Sequence, residues 1–166
     1  MREGYLVAFL AFLVLGIYYP AIFAPFNSVD DVEMVNHVLN SADVSLWQLL
    51  IPRSSGYYYR PLLYYTYVLD YHVWGLHESF MHLENVFLHA GNTILVFYLA
   101  ATVSRVYGVN KVLVPFCAAV LFAIHPVNTE AVIWVSGRTD LMAGFFLLMA
   151  MILLIKGLRE QKLGYL

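Results

Sequence analysis

Residues 125–140 carry His125, Glu130, Arg138 and Asp140 between two apolar runs, residues 112–124 and 141–155. Charges and open backbone groups are costly in hydrocarbon unless protein or a water-filled cavity surrounds them. The segment must therefore be wrapped by other parts of the chain, at a membrane face or within a cavity. That requirement predicts a site, with its other half at Asp30 and Asp31.

The class follows from composition. Of 166 residues, 61% are hydrophobic and 12% charged, against about a quarter charged in soluble domains. The expected fold is all-α, a polytopic membrane helical bundle of about four transmembrane helices with extracytoplasmic juxtamembrane helices. The chain reads as one membrane domain, residues 1–166, with the lipid bilayer as its surrounding partner. A net charge of −2 provides no electrostatic case for nucleic acid. The lone Cys117 excludes an intramolecular disulfide and a cysteine-based metal site.

Residues 1–26 form the first expected span. A cleaved signal peptide is the rival reading, but the apolar run is long and Pro25 follows the small residue Ala24. Residues 27–80 read as an extracytoplasmic loop with interfacial helices. Ser28 or Asp30 can cap a short helix running to Asn40, with Val32, Val35 and Leu39 on one face. A second short helix is expected after Ser41 or Asp43, around Leu46, Trp47, Leu49 and Leu50. Residues 57–76 are crowded with tyrosine and carry Pro61 where a first helical turn accepts it. Such a segment suits the headgroup boundary, whereas a full crossing would bury Asp70 and His72.

Residues 81–104 form the second expected span. His82, Asn85 and His89 fall at i, i+3 and i+7 and share one face. The third, residues 111–125, is short for a crossing, because its apolar run, residues 112–124, is about 13 residues and at 1.5 Å each reaches only roughly 20 Å. It is expected to stop at His125 and Pro126, with residues 126–140 skirting or re-entering the membrane before a fourth span at 141–157. Placing both termini in the cytoplasm puts Arg2, Arg105, Lys111, Lys156, Arg159 and Lys162 inside and leaves Arg53, Arg60 and Arg138 outside, as the positive-inside rule prefers. Asp30, Asp31, Arg60, Glu130 and Arg138 then face one side.

The order of motifs resembles a known family. Val29-Asp30-Asp31 follows the first span, Tyr59-Arg60-Pro61-Leu62 comes next, and His82, Asn85 and His89 open the second. Leu121-Phe122-Ala123 then leads into His125-Pro126, Thr129-Glu130-Ala131-Val132 and Gly137-Arg138. Together these resemble the N-terminal membrane portion of the transmembrane-and-TPR O-mannosyltransferase family, of the GT-C glycosyltransferase superfamily. Val29 stands where members usually have an aromatic, and Asn128 where histidine is frequent. The family continues into further spans and TPR repeats, whereas this sequence stops at Leu166. The expectation is one part of such an enzyme, with the remaining spans or TPR part as a possible separate chain.

The resemblance implies transfer of a mannose-like sugar from a polyprenyl- or dolichyl-phosphate donor to a hydroxyl acceptor on the extracytoplasmic side. The membrane would be a bacterial inner membrane or the endoplasmic reticulum. Asp31, then Asp30, would take the acceptor proton; the alternative is a helix cap beside a solvated acid. Arg60 and Arg138 would support the lipid phosphate, or snorkel to headgroups. Glu130 would orient the acceptor or share a divalent cation with the aspartates, or pair with Arg138. His125 would meet phosphate or end its helix. His82, Asn85 and His89 would bind substrate or form a polar seam between helices. The competing functions are a non-catalytic membrane subunit or remnant and, from another class, a small transporter.

Overall fold

The computed structural model describes residues 2–26, 28–39 and 59–163, and every regular element among them is helical. The helix expected around residues 41–50, together with Arg53, Tyr57 and Tyr58, lies outside the described residues.

Helix α1, Arg2–Tyr18, continues into a 3-10 turn at Tyr19–Phe23, where Pro20 occupies the opening position that needs no amide donor. Helix α2, Val29–Leu39, starts behind Ser28, whose Oγ accepts from the Asp31 amide at 3.0 Å. This is a serine N-cap satisfying one of the open amides of the first turn. Helix α3, Pro61–Trp74, begins with proline at its first position and ends at Gly75, φ 66°. Leu76 follows at φ 58°, a region leucine rarely adopts. Its side chain is buried with Met34, Val38, Tyr67, Val68 and Met81, and that packing holds the turn.

Helix α4, Glu78–Tyr107, is the axis of the fold. It packs against α1, against α5, Leu113–Ile124, and against α7, Arg138–Leu163. Leu10 of α1, Phe97 of α4 and Ala119 of α5 make one core; Val14, Tyr18, Val86, Ala90, Ala123, Val132 and Leu141 make another. Small residues at the crossings let helices approach closely where lipid supplies no hydrophobic drive between them. Outward-facing Phe12, Leu121, Leu147, Leu153 and Leu154 are exposed and form an apolar surface suited to acyl chains.

Among the described residues, three stretches are long and apolar enough to cross a membrane: Glu3–Phe23, Glu78–Tyr107 and Arg138–Arg159. The third expected span is a bent pair. Helix α5 stops at Ile124, and after a 49° bend the chain continues through a 3-10 turn, Pro126–Asn128, and α6, Thr129–Ile133. Up to four spans result if the bent pair counts as one. The described residues thus form an all-helical membrane bundle.

The buried face of α2 overlaps the apolar row only at Val35, which packs against the core; Val32 and Leu39 are exposed, and Asp31, Met34 and Val38 point inward. An apolar stripe misses this face because one of its members is a carboxylate, which can be buried only where a donor meets it.

Candidate functional site

The segment following α6 is gripped almost residue by residue. Asn85 Nδ2 donates to the Trp134 carbonyl at 2.7 Å, and the Tyr67 hydroxyl donates to the Val135 carbonyl at 3.0 Å. The Ser136 amide donates to Asp31 Oδ1 at 2.8 Å, and Arg60 Nη1 donates to Thr139 Oγ1 at 3.2 Å. Gly137 is required by close approach, since a Cβ there would lie 2.5 Å from the Ala131 carbonyl oxygen. Helices α2, α3 and α4 therefore supply the wrapping that the polar stretch needs.

Arg138 is the centre of this grip. It is 2% exposed and opens α7, a position where the helix dipole disfavours a cation. The offset comes from carboxylates on two other helices: Nη1 pairs with Asp70 of α3, and Nη2 meets Glu84 Oε2 of α4 at 2.7 Å. Further bonds run from Nε to Asn85 Oδ1 at 3.3 Å, from Nη1 to Thr66 Oγ1 at 3.2 Å and from Nη2 to the Met81 carbonyl at 3.4 Å. The guanidinium also lies 4.7 Å from the Tyr67 ring centroid. The indole of Trp74 donates to the other Glu84 oxygen at 2.9 Å. This planar, many-donor arrangement is one that arginine alone can satisfy. Its carboxylate partners are Asp70 and Glu84; the pairing with Glu130 considered from sequence is not present among the described ion pairs.

Asp31 is fully buried on the first turn of α2, while the neighbouring Asp30 is exposed. One Asp31 oxygen is held by Ser136; Oδ2 has no hydrogen-bond partner among the described residues. Glu130, on α6, is exposed. Among the described residues no three histidine, cysteine or carboxylate side chains gather as a metal-ligand group, so Glu130, Asp30 and Asp31 do not form one. His125 is exposed, and its Nδ1 accepts from the Val127 amide at 3.2 Å, so it caps the 3-10 turn. Arg60 is exposed at the start of α3.

His82, Asn85 and His89 share one face as expected, and all three are fully buried, with Asn92 extending the row. Asn85 links Trp134 to Arg138. His89 Nε2 lies 3.2 Å from the Ala123 carbonyl, and Asn92 Nδ2 donates to the Leu141 carbonyl at 2.9 Å. These are helix-to-helix bonds, so the polar seam is present. His82 adds no such helix-to-helix bond among the described residues; its ring lies beside the backbone of Ala24 and Ile133.

A cavity of about 260 Å³ opens where the end of α1 faces the bent pair. It is lined by Tyr18, Pro20, Ala21, Pro126, Thr129 and Ile133 among others. Sequence reasoning missed Asp70 and Ser136 as site residues. Asp70 carries a signal, being the only carboxylate within α3, four residues after Thr66. Ser136 has none, because its contribution is a backbone amide.

Curated relatives match part of the chain. The chain is 32% identical over 140 residues to protein O-mannosyl-transferase F38B6.6 of Caenorhabditis elegans, covering 76% of this chain and 20% of that protein. It is 34% identical over 112 residues to protein O-mannosyl-transferase TMTC4 of Homo sapiens, covering 62% and 15%. With TMTC3 of Homo sapiens it shares 39% over 92 residues, covering 55% and 9%. The chain spans a fifth or less of the length of these relatives. No protein-family model and no solved structure matches it. The chain is thus a homologue of the TMTC protein O-mannosyl-transferases, the family that its motifs resemble.

Proposed function

We propose that this chain forms the N-terminal membrane module of a GT-C-type glycosyltransferase. It takes part in moving a mannose-like sugar from a polyprenyl- or dolichyl-phosphate donor to a hydroxyl on an acceptor protein, on the extracytoplasmic face of the endoplasmic reticulum or an equivalent membrane. Both termini then lie in the cytoplasm. Asp31 carries the reading. It is a buried carboxylate with one oxygen fixed by the Ser136 amide and the other unpartnered among the described residues. Such a group is oriented by its first bond and can accept the hydroxyl proton through the second. As the acceptor oxygen bonds to the sugar carbon, the bond from that carbon to the lipid phosphate breaks and the proton passes to Asp31. Asp30 is the second choice for the base.

Arg60 is the cation we assign to the departing phosphate, because it is exposed at the mouth of α3. His125 adds a second polar contact from the opposite segment, and Glu130 orients the acceptor. Arg138, Asn85 and His89 shape the site from behind through the bonds described above. A divalent cation, if the reaction uses one, would draw its protein ligands from Asp30, Asp31 and Glu130 only together with groups outside the described residues, since these three do not cluster.

The test is transfer from a radiolabelled polyprenyl-phosphate mannose in membranes, using this chain and its full-length relatives. Asp31→Asn, and the matching substitution in a relative, should abolish transfer at unchanged expression. Persistent transfer would reject the assignment. A non-catalytic subunit predicts no transfer in any variant of this chain, and a transporter predicts solute flux in proteoliposomes without a lipid-linked sugar.

A further inference from the structure

The cavity between α1 and the bent pair has two walls that break in the same way. One is the end of the first span, from Ile17 to Ala21; the other runs from Ile124 to Ile133. Pro20 and Pro126 each open a 3-10 turn, one in each wall. Proline brings no amide donor and interrupts a regular helix. Neither wall therefore continues straight, and about 260 Å³ is left between them.

This space joins the lipid-facing surface to the Asp31 region. At its rim Ile17 and Ile124 are exposed on the apolar exterior. Tyr18 and Ala21 are buried and close it from within, with the Tyr18 ring edge-on to His89 at a centroid distance of 5.2 Å. Both walls then lead to Asp31. A short way past Ala21, Ser28 caps α2 at the Asp31 amide; a short way past Ile133, the Ser136 amide holds the Asp31 carboxylate. The first span runs Glu3–Phe23, so the cavity lies near its end, where hydrocarbon gives way to headgroups. His125 is exposed between two lining residues, Ile124 and Pro126. Glu130, also exposed, follows the lining residue Thr129 and opposes an anion on its own side of the mouth.

We propose that this cavity seats the isoprenoid end of the lipid donor: the first isoprene units of a polyprenyl phosphate lie between the two proline breaks, with the phosphate beyond them on the His125 side. The proposal deepens the transferase reading and rests on it for the identity of the lipid. Size supports one chain. A cavity of about 150 Å³ accepts a benzene ring, so this one has room for roughly ten carbons, or two isoprene units. A phospholipid brings two chains to one phosphate, whereas a polyprenyl phosphate brings one. Burying the units nearest the phosphate converts apolar affinity into orientation of the bond that must break near Asp31.

The experiment is photolabelling of the whole chain in phosphatidylcholine nanodiscs, with a polyprenyl phosphate that carries a diazirine on its second isoprene unit. Label should fall on the peptides containing residues 17–21 and 124–133. Unlabelled polyprenyl phosphate should compete it away, and equal dioleoyl phosphatidic acid should not. Ala21→Phe, which fills the space, should cut labelling by about tenfold, the worth of roughly two buried methylenes. Ile17→Trp, at the exposed rim, should act in the same direction and keeps the test intact should Ala21→Phe fail to fold. Leu153→Trp, on the outward face of α7, should leave labelling unchanged. Label spread over the exterior of the bundle, equal competition by phosphatidic acid, or full labelling in Ile17→Trp would overturn the site. In the transfer assay, Ile17→Trp should raise the donor KM with little change in kcat. Specific labelling without transfer in any variant would remove the transferase reading and leave the lipid site standing; transfer without labelling of these peptides would do the reverse.

Discussion

Asp31 Oδ1 accepts the Ser136 amide at 2.8 Å, joining the first turn of α2 to the loop before α7 across 105 residues of chain. The bond does two things. It satisfies a backbone donor at a membrane-protein bend, and it fixes one oxygen of a buried acid so that the other has a defined direction.

Removing that acceptor has a structural cost. Asp31→Ala leaves the Ser136 amide without its partner, which costs about 1–3 kcal/mol. Asp31→Asn keeps an oxygen there and should cost less, and Asp30→Ala, at an exposed position, should unfold close to wild type. Thermal unfolding in detergent checks the ranking. Equal midpoints for Asp31→Ala and Asp30→Ala would remove the structural role of the bond.

Arg138 is held by Asp70 and Glu84 together. Arg138→Leu leaves both acids buried or half-buried with no countercharge and should cost about 3–5 kcal/mol, enough to lose the folded chain on purification. Arg138→Lys should recover little of this, because an ammonium cannot serve Asp70, Glu84, Asn85 and the Met81 carbonyl in one plane. The double substitution Arg138→Met with Asp70→Leu should be milder than the sum of the two single changes. Additivity in that cycle would mean that the pair is not coupled.

Gly137 approaches the backbone of Ala131 so closely that even a methyl group must move it. Gly137→Ala should destabilise by about 1–3 kcal/mol through forced backbone displacement. The loosened segment should also release Ser136 from Asp31. Faster protease cleavage between residues 134 and 140, together with a lower unfolding midpoint, is the expected reading; wild-type values for both would show that the loop yields freely.

Sidedness is open to direct labelling. With the exposed Cys117 replaced by serine, single cysteines at Asp30 and Glu130, both exposed positions, should react with a membrane-impermeant maleimide added to the same compartment. Labelling from opposite compartments would separate α2 from α6 and end the single-site proposal.

The membrane class was legible in the apolar runs, because the length of hydrocarbon to be crossed dictates the length of apolar chain. Several local features were legible too, among them proline opening α3, the break after Ile124, and the polar face His82–Asn85–His89. Each is written within a few residues and follows helical geometry. What escaped were the relationships that cross the chain. Apolar spacing set Val32, Val35 and Leu39 on one face of α2; of these Val35 packs against the core, and Asp31 faces inward as well, since burial of a carboxylate depends on a donor supplied by Ser136 from a distant loop. Asp70 read as a reason to keep α3 out of the membrane, and Arg138 read as a phosphate ligand. The tertiary structure brings the two together over 68 positions. Periodicity records which face a helix turns inward when that face is apolar. It carries no record of which charge will find which partner, because that is decided only when the helices pack.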